Sequence, residues 1–156
     1  MAEQQPGWTR RTWLRDAGLT FAVAATPLPL RATPEEVSRE LQKAFGATPI
    51  SEGRVALSLP VLAENGNSVA LGIDVDSPMS EADHVVSIHV FAEKNPLPRV
   101  VEFELGPLAG NASIRTRIRL ADSQSVLAVA RMNDGSLYSG AASIEVTQAA
   151  CLDFLI

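Results

Sequence analysis

The sequence has little cysteine, no excess of positive charge and no long apolar run. Cys151 is its one cysteine, so no disulfide can form within the chain and the fold must depend on core packing. The formal net charge of −5 argues against a nucleic-acid-binding protein, which would show a basic surface. No apolar run reaches the roughly 18 residues of a membrane span. Hydrophobic residues nevertheless make up 46% of the 156 residues, enough for one domain with a core.

The common motifs of catalysis are also missing. The sequence has neither a phosphate-binding glycine loop nor the glycine spacing of a dinucleotide site, and it has no Gly-x-Ser-x-Gly turn. Its two histidines, His84 and His89, lie five residues apart, and a metal site would need further ligands from elsewhere. We therefore expect hydrogen-bonded or exposed histidines. These absences favour a binding or carrier module over an enzyme.

Two groups of charged residues alternate along predicted strands. Asp74 and Asp76 share one strand face beside a turn. We interpret this face as exposed to solvent, and a weak cation site is the alternative. A basic stripe is formed by Arg115, Arg117 and Arg119. The stripe is interpreted first as the solvent face of an edge strand, protected by its charge. Contact with an anionic partner or an anionic sulfur species is the alternative.

The N-terminus has the layout of an export signal. Residues 9–15 (TRRTWLR) place Arg10 and Arg11 ahead of an aromatic residue, a leucine and a basic residue, and a weakly apolar stretch with small residues follows. This pattern predicts a twin-arginine signal peptide over residues 1–32 and a periplasmic protein. An amphipathic helix is the alternative, and Gly18, Pro27 and Pro29 disfavour it.

The next segment has the signals of a helix. Thr33 can cap its N-terminus, Pro34 suits the first turn and Glu36 completes a capping box. Apolar residues at four-residue spacing form one face: Val37, Leu41 and Phe45. Gly46 is placed to end the helix. We expect this helix to pack on the outside of the domain or on a partner.

From residue 54 onward the apolar period changes to two. About seven runs alternate in this way and are separated by turn signals such as Asn65-Gly66 and Asn133-Asp134-Gly135. The runs cover residues 55–59, 69–75, 85–92, 100–105, 114–120, 125–132 and 136–147. The pattern predicts an all-β fold, an immunoglobulin-like antiparallel β-sandwich with one N-terminal helix.

Three segments resemble the SoxY family of thiosulfate-oxidation proteins. They are residues 63–69 (AENGNSV), 75–83 (VDSPMSEAD) and 88–98 (IHVFAEKNPLP), and the likeness extends from about residue 49 to residue 147. The resemblance implies an immunoglobulin-like sandwich that pairs with a SoxZ-like subunit. It also implies a carrier without a cofactor or enzymatic activity of its own. The family's C-terminal cysteine, within Gly-Gly-Cys-Gly-Gly, holds sulfur intermediates covalently for a haem-containing conjugating complex, a sulfate-releasing hydrolase and a sulfane dehydrogenase.

Cys151 takes the family's carrier position, but its neighbours differ. The flanking residues are Ala149, Ala150, Leu152 and Asp153 in place of four glycines. Glycine is narrow and conformationally free, so the substitutions restrict a tail that must enter several enzymes. We therefore expect residues 33–148 to form the sandwich and residues 149–156 to form the tail that carries Cys151.

Three functions are consistent with the sequence. The first is a covalent sulfur carrier acting through Cys151. The second is a SoxY-like interaction subunit that binds its partner but has lost the carrier activity. The third is a periplasmic metal or redox module built on His84 and His89.

Overall fold

The computed structural model describes residues 33–149, which form one helix and nine strands. The helix α1 spans Pro34–Phe45. The strands are β1 (Ile50–Glu52), β2 (Val55–Ser58), β3 (Leu62–Ala63), β4 (Val69–Val75), β5 (Val85–Ala92), β6 (Arg99–Glu104), β7 (Ser113–Ile118), β8 (Gln124–Met132) and β9 (Leu137–Val146). A short 3-10 turn, Pro107–Ala109, lies between β6 and β7.

The strands form two layers. The larger sheet has the order β1-β9-β8-β5-β6, with β3 also beside β9, and the smaller sheet has the order β2-β4-β7. Neighbouring strands are antiparallel except at β9, where β1 and β3 both pair in parallel with it. The predicted β-sandwich is therefore confirmed, and the expectation of seven antiparallel strands is corrected by two short parallel ones.

The main core lies between the two sheets. It contains the side chains of alternate residues in the long strands, as expected when one face of each strand is buried. Its fully buried members include Val69, Leu71, Ile73, Ile88, Val90, Val126, Ala128 and Ala130. A second cluster joins α1 to the outer face of the larger sheet through Val37, Phe45, Phe91, Val129 and Leu137. The helix thus packs on the outside of the domain, as predicted.

The ends of α1 follow the sequence signals closely. The Thr33 hydroxyl accepts from the Glu36 backbone N–H at 3.4 Å, and the Glu36 carboxylate accepts from the Thr33 N–H at 2.9 Å. Gly46 ends the helix with a φ of 66°, a conformation that glycine adopts at little cost. The capping box is therefore formed, and no helix among the described residues has the length and hydropathy of a membrane span.

Gly140 brings the two sheets together at one point. A Cβ at this position would lie 2.1 Å from the backbone oxygen of Val55, which is far inside van der Waals contact. Glycine therefore lets β2 of the smaller sheet approach β9 of the larger sheet closely.

Candidate functional site: the base of the C-terminal tail

Three loops meet at the end of the sandwich where β9 finishes. They are residues 64–67, 93–98 and 119–123. Two of them belong to segments that resemble the known family. The sequence continues towards Cys151 from this end of the sandwich.

Backbone contacts hold the chain at this end up to Gln148. The Thr147 N–H donates to the Ala63 oxygen at 3.0 Å, and the Thr147 hydroxyl donates to the Glu64 oxygen at 2.9 Å. The Gly66 N–H donates to the Gln148 oxygen at 2.8 Å. The last of these contacts is made by Gln148, three residues before Cys151 in the sequence.

A buried pair of amides supports this base. Asn95 and Gln124 are 7% and 6% exposed. The Asn95 side-chain nitrogen donates to the Arg119 backbone oxygen at 2.9 Å, and its side-chain oxygen accepts from the Ala121 N–H at 2.9 Å and from the Gln124 amide at 3.1 Å. The Gln124 side-chain oxygen accepts from the Lys94 N–H at 2.8 Å. The amides thus join the loops 93–98 and 119–123 into one unit.

The Ser123 side chain forms hydrogen bonds with the last residue of β9. Its hydroxyl accepts from the Val146 N–H at 2.8 Å and lies 3.4 Å from the Val146 oxygen, to which it can donate. A side chain here takes the place of a strand partner, so the last residue of β9 keeps its hydrogen bonds. The nearby Lys94 ammonium lies 3.8 Å from the Asp122 carboxylate. This pair is partly exposed and of modest strength.

Sequence reasoning missed these supporting residues. Asn95 lies between two predicted strand runs, and Gln124 lies just before the predicted run 125–132. Their pairing spans 29 residues, so no local pattern reveals it. The location of Asn95 within the family-like segment 88–98 was the available signal.

The predicted site residues themselves fall outside the described part of the chain. Cys151, the expected sulfur attachment point, and Arg10 and Arg11 of the expected export signal lie beyond residues 33–149. The structure therefore places the base of the tail and leaves those predictions as they stand.

The two histidines have separate surroundings. His84 lies in the turn before β5, where its Nδ1 is 2.9 Å from the Ser80 backbone oxygen. His89 is buried in β5, with its ring edge-on to Phe45 and its Nε2 3.1 Å from the Ser87 hydroxyl. Within residues 33–149 no three His, Cys, Asp or Glu side chains are grouped as metal ligands would be, so this part of the chain gives the metal hypothesis no support.

Arg115 and Arg117 of the stripe lie on β7, which is an edge strand as predicted, and Arg119 follows just after it. The Arg115 Nη2 donates to both Asp74 carboxylate oxygens at 2.9 and 3.0 Å, and Arg117 donates to the Ser68 hydroxyl and backbone oxygen at 2.6 and 2.7 Å. The Ser113 hydroxyl and Arg115 together lower the pKa of the Asp74 carboxyl. Asp74 is thus engaged by β7, and the third arginine, Arg119, lies nearest the base of the tail.

The family comparison agrees with the sequence. The model of the family described as sulfur oxidation protein SoxY matches residues 41–151. No curated protein matches the chain in sequence.

Solved structures of similar fold include a sulfur carrier protein and superoxide reductases. The sulfur carrier protein SoxY from Chlorobium limicola f thiosulfatophilum has a TM-score of 0.61 and 24% identity, over 72% of this chain and 97% of that one. A superoxide reductase (neelaredoxin) from Ignicoccus hospitalis has a TM-score of 0.53 and 17% identity, over 75% and 95%. A putative superoxide reductase from Thermotoga maritima has a TM-score of 0.51 and 19% identity, over 63% and 87%. At these identities the structural likeness shows the fold.

Proposed function

Because this chain belongs to the SoxY family of sulfur oxidation proteins, we propose that it is a sulfur carrier that holds sulfur intermediates covalently on Cys151. The observation that carries the proposal is the extent of the family match, which runs to residue 151 and so includes the cysteine. The base of the tail supports it, since the chain is fixed as far as Gln148. A cysteine three residues further on can reach about 10 Å from that base.

The chemistry assigns most of the work to partner enzymes. The thiolate is the reactive form of a cysteine. Joining the Cys151 thiolate to the outer sulfur of thiosulfate forms one S–S bond and releases two electrons, which a haem-containing conjugating enzyme must accept. A hydrolase then releases sulfate from the adduct, and a sulfane dehydrogenase oxidises the sulfur that remains on the cysteine. The carrier itself supplies one thiol, together with the folded segment up to Gln148 that positions this thiol.

The proposal includes a location and a partner. The twin-arginine pattern of Arg10 and Arg11 supports export to the periplasm, where the family's enzymes act. A SoxZ-like subunit would form a heterodimer with the sandwich. Neither feature depends on the flanking residues of Cys151.

A second function is favoured by the tail sequence. Ala150 and Leu152 replace glycines on either side of Cys151, and each side chain narrows the set of conformations open to the tail. An interaction subunit that binds its partner but carries no sulfur would tolerate these changes. The two functions differ in whether Cys151 becomes modified.

Intact-mass spectrometry distinguishes the two functions. The purified protein, incubated with thiosulfate, the conjugating enzyme and an electron acceptor, is expected to gain one thiosulfate group, and Cys151→Ser is expected to gain none. The matched variant restores glycine at 149, 150, 152 and 153. If only that variant is modified, the native chain is an interaction subunit and the carrier proposal fails.

A further inference from the structure

A groove runs along the open edge of the sandwich between β6 and β7. Both strands end their sheets, so the groove separates the two layers on this side. Its cavity of about 480 Å³ is lined by apolar side chains that include Val100, Val101 and Ile118. Leu97 stands at its mouth and is 76% exposed. The volume lies within the ~300–1,000 Å³ of ordinary ligand pockets.

The rim of the groove is basic, although the protein as a whole is acidic. Three arginines line it, Arg99, Arg117 and Arg119, together with no acidic residue. Arg99 lies 3.4 Å from Glu102, which is outside the lining, and Arg117 is bound to Ser68. An occupant with apolar side chains and a negative charge would therefore fit this groove.

The base of the tail lies near Arg119 of the groove's rim. Gly66 connects the base of the tail with the end of β7. Its N–H donates to the Gln148 oxygen at 2.8 Å, and its oxygen accepts from the Leu120 N–H at 2.9 Å. The Gln148 oxygen is consequently within about 10 Å of the Leu120 nitrogen. Leu120 directly follows Arg119 of the rim. Four further residues, at about 3.3 Å each, span roughly 13 Å, which is long enough for residue 152 to reach the groove.

We propose that residues 152–156 (LDFLI) of this chain dock in the groove between β6 and β7. Four of these five residues are large and apolar, and the fifth, Asp153, is acidic. Apolar side chains gain free energy when they leave water in proportion to the area buried. Asp153 then faces the arginine rim, with Arg119 nearest the base of the tail.

A docked end holds Cys151 close to the body of the domain. The cysteine lies directly before the docked residues and after the fixed Gln148, so both of its sides are restrained. This inference concerns where the tail rests, and it holds whether or not Cys151 carries sulfur. Its test is therefore made in chains with Cys151→Ser, which cannot take up sulfur at that position.

Disulfide trapping in the full chain tests the docking. In the Cys151→Ser background, Leu97→Cys is combined with Phe154→Cys, and the intrachain disulfide is followed by intact mass under mild oxidation at low protein concentration. The matched control combines Phe154→Cys with Val61→Cys. Val61 is 83% exposed, and its backbone oxygen accepts from the Glu145 N–H near the end of β9, so the tail can reach it outside the groove.

The two pairs should differ clearly. We expect the pair at Leu97 to close at least about tenfold faster than the pair at Val61, since burying one large apolar side chain shifts an equilibrium by that order. Adding Arg119→Glu should slow the Leu97 pair several-fold by repelling Asp153. Equal rates for the two pairs would overturn the proposal. The proposal would also fail if the tail left the groove uncovered and only a separate partner protein covered it.

Discussion

Two pairs of buried polar side chains, Asn95 with Gln124 and Ser87 with His89, differ in how well their hydrogen bonds are satisfied. The four residues are similarly buried. The amide pair is bonded to four backbone groups of the loops around it. The Nδ1 atom of His89, in contrast, is buried with no hydrogen-bond partner among the described residues. The tail end of the sandwich is therefore the better fixed of the two regions.

The difference follows from where each pair lies. The amides are enclosed by the loops that they connect. His89 lies where α1 stops covering the larger sheet, beside a cavity of about 490 Å³ that is also lined by Arg99, Arg131 and Glu102. A satisfied network makes one geometry much more stable than its alternatives, whereas a partly satisfied one does not. Of these two regions, the base of the tail thus has the better satisfied polar contacts.

Replacing Asn95 by alanine should have the largest effect. The change removes three hydrogen bonds and leaves the Ala121 N–H, the Arg119 oxygen and one Gln124 donor without this partner. Each unsatisfied buried group costs about 1–3 kcal/mol, so we expect a loss of roughly 3 kcal/mol in the free energy of unfolding, measured by urea denaturation. Asn111→Ala, at an exposed position, is the control and should change little. Similar losses for the two variants would show that the amide pair does not fix this end.

Acid should lower the free energy of unfolding through His89, whereas the neutral amides of Asn95 and Gln124 do not titrate. Burial lowers the pKa of His89, and Arg131 and Arg99 lower it further while Glu102 raises it. Between the lowered folded pKa and the ordinary value of 6.5, the unfolded chain binds more protons than the folded chain. The stability from neutral His89 is therefore complete above pH 6.5 and is lost as the pH falls through this window.

The histidine variant isolates this effect. The unfolding free energy of the native chain should fall between pH 7 and pH 5.5 by more than that of His89→Leu, as measured by urea denaturation at each pH. Glu102→Gln, which removes the charge that favours protonated His89, should make the fall steeper. An identical pH dependence in the native chain and His89→Leu would show that His89 does not titrate in this range.

The features that the sequence predicted depend on residues close together in the chain, whereas the features that it missed depend on residues far apart. The capping box of Thr33 and Glu36 and the end of α1 at Gly46 depend on residues at most four apart, and all of them are present. The seven long strands were predicted because alternation is also a local pattern. Strands β1 and β3 were missed, since they are only three and two residues long and pair with β9, more than 80 residues away.

The same limit applies to the candidate site. Two of the loops at the tail end lie in family-like segments, but the Asn95–Gln124 contact and the Ser123–Val146 bonds join residues more than 20 apart. Only the assembled sandwich brings them together. The prediction of an edge strand at β7 succeeded because alternating arginines are a local signature of an edge.

Replacing Thr147 by valine should have the smallest effect and should act only on the base of the tail. The change keeps the shape of the side chain but removes the hydroxyl that donates to the Glu64 oxygen at 2.9 Å. The position is exposed, so the cost should be at the low end of a hydrogen bond, about 0.5 kcal/mol. Hydrogen exchange should nevertheless quicken at the Gly66 amide, whose partner is Gln148, while β5 and β8 stay unchanged. Thr48→Val, also at an exposed position, should leave the exchange of Gly66 as it was, and equal exchange in both variants would mean that the Gly66 contact holds the base without Thr147.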